Sequence, residues 1–378
     1  MRLSILFLFF LSLFAPSSAA WAEGDGERLC KLMRCDRVHA AGYTGKGITV
    51  AVIDTGYDFP DFPLRAWHDD VDGGVIPVDL GRGPDGIHKK FGHGTMVAGC
   101  VHLTAPEADL VAVRYDGTRE GLARSIRWVS EHRRELNIRV LNLSITGGSS
   151  PEIWSAVRQA YNQGIVVVAS MGNNGPLPDG GACPGNIPEV LTVGGAFDAT
   201  TVWESSSRGP TSEGSSKPDL CAPADSIVTW MTPGNHFDDF SKQVQKIREL
   251  EDEPLKDLYR ADPSRYSAWK KLPTGFLTLP NAAELLRASL PRWFPIDAHH
   301  VKGDGTSLSC PLVSGIVATM LQASPGATPG EITDVLKKSA RPMEARFGPN
   351  DAGTGFVDAN SAIRVLLSRK SRSSRGPS

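Results

Sequence analysis

Five apolar runs of strand length punctuate the chain: "ITVAVID" (residues 48–54), "ADLVAVRY" (108–115), "NIRVLNLSI" (137–145), "GIVVVAS" (164–170) and "EVLTVGGA" (189–196). Each is nearly continuous in Val, Ile, Leu and Ala instead of alternating with polar residues, so both faces of each strand must be buried. Amphipathic stretches lie between them. One places Leu122, Ile126 and Val129 on a single face. Another does so with Ile153, Val157 and Tyr161 and meets a stop at Gly164. Buried strands alternating with helices of one-sided apolarity build a parallel sheet covered on both faces, an α/β fold. In such sheets ligands meet the chain at the carboxyl ends of the strands.

The 378 residues suffice for one large domain or two small ones. Lys plus Arg number 40 and Asp plus Glu 42, interspersed, so the charge pattern gives no reason to expect a nucleic-acid partner. At the N-terminus one Arg precedes an apolar run over residues 3–14, then small residues and an A-x-A pattern at Ala20-Trp21-Ala22. This is the layout of a secretory signal peptide over residues 1–22, cleaved after Ala22 or Ala20. The run is short against the ~20 residues of a membrane span. No later segment is expected to cross a bilayer, so no stable span should remain after cleavage. The expected destination is secreted or periplasmic. Export makes Cys30, Cys35, Cys100, Cys183, Cys221 and Cys310 candidates for disulfides or buried thiols. Cys30 and Cys35 are close enough for a local staple. With no C-x-x-C pair, a structural zinc site is not expected.

A polar lead follows at residues 23–42, and the α/β pattern occupies 43–235. It breaks at 236–300, where charged, Pro-punctuated, partly helical sequence carries Phe240, Val244, Ile247, Trp269, Leu285, Leu286 and Trp293. So many large apolar residues indicate an inserted subdomain instead of a disordered linker. Helical spacing resumes over 307–323 and 329–338, and the pattern closes by residue 365. The basic, Ser-rich end, 366–378, is expected to be disordered.

Four residues carry chemistry together. Asp54 ends the first strand in "AVIDTGYD", His93 stands between glycines in "FGHGTMVAG", Asn173 follows a strand in "SMGNNG", and Ser307 opens a helical run in "GDGTSLSCP". Alone, each reads equally as a cap or turn residue. As a set they match a nucleophilic site. A serine hydroxyl needs a base, best a His, and the imidazole needs an acceptor on its other nitrogen. The oxyanion formed on attack needs donors aimed in advance.

These motifs resemble those of the subtilisin-like serine proteases, the subtilase family. "VAVIDTG" is similar to the family's aspartate motif, "GHGTMVAG" to its histidine motif, "GTSLSCPLVSG" to its serine motif and "ASMGNNG" to its oxyanion segment. "RVLNLSITGG" resembles the strand that pairs with substrate, and "GTGFVDANSAI" the closing segment. The resemblance covers most of residues 43–365 outside the insertion. It implies a three-layer αβα fold with a mostly parallel sheet, plus a mainly helical insertion before the serine motif. It implies Asp54, His93 and Ser307 as catalytic residues and Asn173 as oxyanion donor. Ser144, Ile145 and Gly147 would bind substrate, with Ala182 near the floor of a pocket for bulky apolar or varied side chains. Substrates would be proteins or peptides. No organic cofactor is implied, and structural calcium stays open. "HDDVDGG" (68–74) reads as an acidic turn without full EF-hand spacing, and His299-His300 as a loop pair.

The chain departs from the family pattern in four places. The lead is short for an N-terminal prodomain. Leu312 follows Pro311 where His is common. Thr146 stands where Gly is usual, and the insertion ends just before Ser307. The expected function is a secreted serine endopeptidase acting through an acyl-enzyme. Rivals are a processing or macrocyclising peptidase with few substrates, and a non-catalytic binding module on the same fold. The state of association is not legible in the sequence.

Overall fold

The computed structural model describes residues 18–57, 64–69, 74–76, 92–176, 182–266, 269–273, 275–297 and 299–373. The signal-like apolar run and the acidic turn after Asp69 lie outside the described residues. In chain order the elements are α1 (Ser18–Met33), α2 (Cys35–Ala40), β1 (Thr49–Asp54), β2 (Leu64–Asp69), β3 (Gly74–Ile76), α3 (His93–Thr104), β4 (Asp109–Arg114), α4 (Arg119–His132), β5 (Ile138–Leu143), α5 (Pro151–Asn162), β6 (Val166–Ser170), β7 (Leu191–Ala196), β8 (Leu220–Pro223) and β9 (Ile227–Trp230). There follow α6 (His236–Arg248), α7 (Asp252–Ala261), α8 (Ala282–Ala288), β10 (Phe294–Pro295), β11 (His300–Gly303), α9 (Thr306–Ala323), α10 (Pro329–Ser339), α11 (Pro349–Ala352) and α12 (Ala359–Ser373).

The main sheet runs β3-β2-β4-β1-β5-β6-β7-β8, parallel except for the β2–β3 pair. Successive residues of a strand face opposite sides, and here the two sides meet different helices. Val50 and Val52 of β1, Leu110 and Ala112 of β4, and Val166 and Val168 of β6 join a core with α3, α9, α10 and α12. Their neighbours Ala51, Ile53, Val111, Val113, Val167 and Ala169 join a second core with α4 and α5. The sheet is therefore the middle of three layers, and the continuous apolar runs are the sequence trace of its two buried faces.

Helix ends follow local chemistry. Thr118 caps α4 by accepting from Gly121 N, and Ser150 caps α5 by accepting from Ile153 N, with Pro151 opening the helix. Thr328 and Glu331 form a reciprocal capping box on α10.

Between β8 and α9 the chain leaves the main sheet and builds a second, three-stranded one, β10-β11-β9. β9 and β11 pair antiparallel, with β10 added on the other edge of β11, so chain entering and leaving the insertion is zipped together. Val244, Leu255, Trp269, Phe276 and Leu286 fill a separate small core. Trp293 instead joins the larger core of the sheet and ties the two together.

Several expectations need correction. The polar lead is helical and buried: Leu29 and Met33 of α1 and Val38 of α2 lie in the main core. Arg34 bonds Asp358 at 2.6 Å, which anchors the lead to the start of α12. The apolar face, spaced i, i+4 and masked by seven charged residues between Asp25 and Arg37, is what makes the stretch read as polar. α12 continues to Ser373, past the expected boundary at 365, because Ala362, Ile363 and Leu366 pack on the core. Cys30 and Cys35 are buried free thiols, as are the other four cysteines, not a staple. By contrast, the one helix among the described residues that is long and apolar enough to pass as a membrane span, α9, is 89% buried inside the protein. It is a core helix.

The two helices that matter most for the site, α3 and α9, approach closely. A Cβ added at Gly315 of α9 would lie 2.1 Å from Thr104 Oγ1 and 2.7 Å from the Val101 carbonyl oxygen. Ala in place of Gly should gain ~1 kcal/mol of helix propensity. Overpacking against a backbone atom that cannot rotate away costs ~1–3 kcal/mol and wins. Gly315→Ala should lower the midpoint of thermal unfolding; an unchanged or raised midpoint would show that the helices can separate freely.

Candidate active site

All four chemical residues lie at the carboxyl edge of the sheet. Asp54 is the last residue of β1 and is 1% exposed. Its Oδ1 accepts from Thr55 N at 2.7 Å, and both its oxygens lie 2.9 Å from His93 Nδ1. His93 opens α3, and its side chain is 20% exposed. Its flanking glycines have separate reasons. A Cβ on Gly94 would sit 2.5 Å from Gly56 O, where Gly94 N bonds that oxygen at 2.9 Å. A Cβ on Gly92 would meet Asn235 Nδ2 and Thr232 Oγ1. The loop after β1 and the start of α3 thus touch backbone to backbone, and that contact delivers the carboxylate to the ring.

Burial disfavours the imidazolium of His93, but the charge of Asp54 and its hydrogen bond outweigh it. The pKa of His93 lies above the ordinary value. The carboxylate also fixes which nitrogen carries the proton: Nδ1 donates to Asp54, so Nε2 is left as the acceptor.

Ser307 is the second residue of α9 and is half-buried. The preceding Gly305 has φ of 143°, a backbone region open essentially to glycine, and it turns the chain from Asp304 into the helix. Ser144 Oγ donates to the Ser307 carbonyl at 2.8 Å and accepts from Asn142 Nδ2 at 3.0 Å, which moors the first turn of α9 to the end of β5. Asn142 Oδ1 accepts from Ser314 Oγ at 2.8 Å further along the same helix. Being in the first turn, the Ser307 N–H has no acceptor within its helix.

Asn173, just after β6, accepts with Oδ1 from Thr306 N at 2.9 Å and from Thr306 Oγ1 at 2.8 Å. Both bonds hold the carboxamide oxygen, so Nδ2 is turned the other way. A Cβ on Gly305 would lie 3.2 Å from Ser307 Oγ and 3.4 Å from Asn173 Nδ2. The hydroxyl and the amide donor therefore flank one point in space. Among the described residues no hydrogen bond joins Ser307 Oγ to His93. Nucleophile–base bonds are often long before substrate binds and tighten in the complex.

Ser144, Ile145 and Thr146 continue beyond the end of β5. Among the described residues, the backbones of Ile145 and Thr146 make no backbone hydrogen bond, while Gly147 N bonds Cys183 O at 2.9 Å. An extended peptide could pair with this free edge, with Ala182 beside the bridge. Ser144 is engaged through its side chain in holding α9. No group of three or more His, Cys, Asp or Glu among the described residues could hold a metal ion. His300 is bonded to Asp297 at 2.9 Å and its ring lies against Trp230.

Sequence reasoning missed Thr306, although it stands beside Ser307 in the same motif. It also missed Phe237 of α6, whose ring centroid is 5.6 Å from that of His93. Nothing local marks Phe237, since 144 residues of chain separate it from the histidine.

The Subtilase family profile matches residues 45–361. Serine protease AprX of Bacillus subtilis (strain 168) is 27% identical over 354 residues, covering 85% of this chain and 67% of that protein. Subtilisin E of Bacillus subtilis (strain 168) is 30% identical over 225 residues, 54% of this chain and 54% of that protein. The chain thus spans about two thirds of the length of AprX and about half that of subtilisin E. Among solved structures, Sphericase superposes with a TM-score of 0.57 at 21% identity, covering 83% of this chain and 92% of that one. Fervidolysin from Fervidobacterium pennivorans, described as a keratinolytic enzyme related to subtilisin, gives 0.60 at 23% identity, covering 87% of this chain and 44% of that one. The structural likenesses speak to fold alone, and the fold is the subtilisin-like one. With the profile spanning most of its length, the chain belongs to the subtilase family.

Proposed function

We propose that this chain is a serine endopeptidase that cleaves protein or peptide substrates after export. The observation that carries the reading is the grouping of a buried carboxylate on His93 Nδ1 with a pinned Asn173 amide beside Ser307 Oγ. In this reading Ser307 attacks the scissile carbonyl while His93 Nε2 takes its proton. Asn173 Nδ2 and the Ser307 N–H receive the oxyanion. His93 then protonates the leaving amine, and water, deprotonated by the same imidazole, releases the acyl group from Ser307. Asp54 keeps the imidazole in the tautomer that can accept. Residues 43–235 and 301–365 supply this machinery, and 236–300 is the inserted subdomain. The relatives' names support peptidase chemistry, and the signal-like N-terminus supports export. A processing peptidase with few substrates is favoured over a general one by Phe237, which brings the insertion to the histidine.

The direct test is labelling of the folded protein with a serine-directed phosphonate, expected to occur and to vanish in Ser307→Ala. Absence of labelling and of peptide cleavage would leave the binding-module reading standing. Asn173→Ala should cost about 10²–10³ in kcat with KM little changed, and Asp54→Asn about 10⁴; these are magnitudes known for serine proteases, subtilisin among them. Activity requires neutral His93, whose pKa is raised, so kcat/KM should fall as pH drops through a midpoint above about 6.5. In Asp54→Asn that midpoint should move down, because the attraction that raised it is gone. A midpoint that stays in place would remove Asp54 from the assignment.

A further inference from the structure

The insertion contributes more than a covering. Phe237 contacts His93, stacks on Trp293 with ring centroids 5.3 Å apart, and Trp293 Nε1 donates to Asp304 Oδ1 at 2.5 Å, three residues before Ser307. Behind this chain of contacts lies a cavity of about 900 Å³ between the insertion and the sheet's carboxyl edge. One wall is the insertion's Phe240, Tyr266, Leu285 and Trp293. The other comes from loops after β7 and β8, with Phe197, Trp203, Glu204 and Asp225, and Asp304 and Asn173 complete it.

Its place along the sheet edge indicates what enters. Strand order β5-β6-β7-β8 sets the free 144–147 edge on one side of Asn173 and the cavity's loops on the other. A peptide whose acyl half lies on 144–147 and whose carbonyl oxygen reaches Asn173 Nδ2 carries its leaving half into the cavity. The lining sets the chemistry. Aromatic and aliphatic side chains dominate one wall. Of its carboxylates, Asp225 is bonded to Arg292 at 3.0 Å, with that guanidinium over Phe197, Glu204 has a partner of its own, and Asp304 takes the bond from Trp293 Nε1.

We propose, resting on the endopeptidase reading, that this cavity selects the leaving side of the substrate, taking a large apolar or aromatic side chain with a basic residue close to it. Acidic leaving segments are refused because they would meet the carboxylates. Burial raises the Asp304 carboxyl to about 6, against the bond from Trp293, so the selection for cations is fully present only above that pH. The charged groups lining this site are Glu204, Asp225, Arg292 and Asp304 itself.

The test uses the full chain and internally quenched peptides with one acyl half and leaving-side residues Phe-Arg, Gly-Gly, Phe-Glu or Glu-Glu. The methyl ester of the same acyl half, which has no leaving-side residue, runs beside them. Wild type should show kcat/KM at least about tenfold higher for Phe-Arg than for Gly-Gly, within the ~10–200-fold a side-chain pocket can provide. Phe-Glu and Glu-Glu should be poorest. Leu285→Arg should cut the preference of Phe-Arg over Gly-Gly about tenfold, and Asp304→Asn should narrow the gap between Phe-Arg and Phe-Glu. If Leu285→Arg does not fold by circular dichroism, Ala288→Trp, at an exposed position lining the same cavity, carries the test. A flat leaving-side profile with the ester still hydrolysed overturns the proposal alone. So does an unchanged profile in a folded cavity variant. Failure of wild type on ester and peptides together overturns the endopeptidase reading and this proposal with it.

Discussion

The contact between α3 and α9 is the constraint on which the site depends. His93 and Ser307 stand in the first turns of these helices, and neither helix is free to shift. Thr104 Oγ1 of α3 bonds the Leu312 carbonyl of α9 at 2.9 Å, and Gly315 lets the backbones meet beside it. Both helices are buried against the same face of the sheet, so their first turns emerge together at its carboxyl edge. A close-packed interior transmits a shift of a methyl group. The spacing of the two first turns is therefore set by residues more than one helical turn away from the chemistry.

Fine positioning is done by short polar ties on that same apolar face. Asn142, fully buried within β5, holds Ser144 and Ser314, and Ser144 holds the Ser307 carbonyl. Thr306 holds Asn173, and Thr55 N holds Asp54. Each tie satisfies a buried polar group that would otherwise cost stability, and it also removes a rotational freedom from a reacting group. The donors and acceptors are thus oriented before a substrate arrives. This is the condition under which fixed dipoles stabilise developing charge.

How much of this the sequence disclosed can be judged from individual elements. β1, β4, β5, β6 and β7 were legible because burial on both faces writes a continuous apolar run. α4 and α5 were legible because burial on one face writes a helical period. β8, β9 and β11 were not: "LCAP" and "IVTW" are four residues long and carry no period, and they become strands only by pairing with distant partners. The lead was misread because seven charged residues mask the buried Leu29, Met33 and Val38. The end of α12 was misread because basic, Ser-rich composition looks alike whether or not a helix continues through it.

By itself the sequence determined the fold class, the residue types able to do acyl-transfer chemistry and the order of the motifs that bear them. Those properties are local: each resides in a strand, a turn or a helix start that a few neighbouring residues specify. Only the tertiary structure decided that Thr306 aims the amide of Asn173, that Phe237 lies against His93, and that Trp293 joins the insertion to Asp304. These relations depend on where α6, β6 and α9 sit after packing, across separations of more than a hundred residues for the first two. A contact of that kind leaves no periodicity in the chain, because it is made by two surfaces that each obey their own local rules.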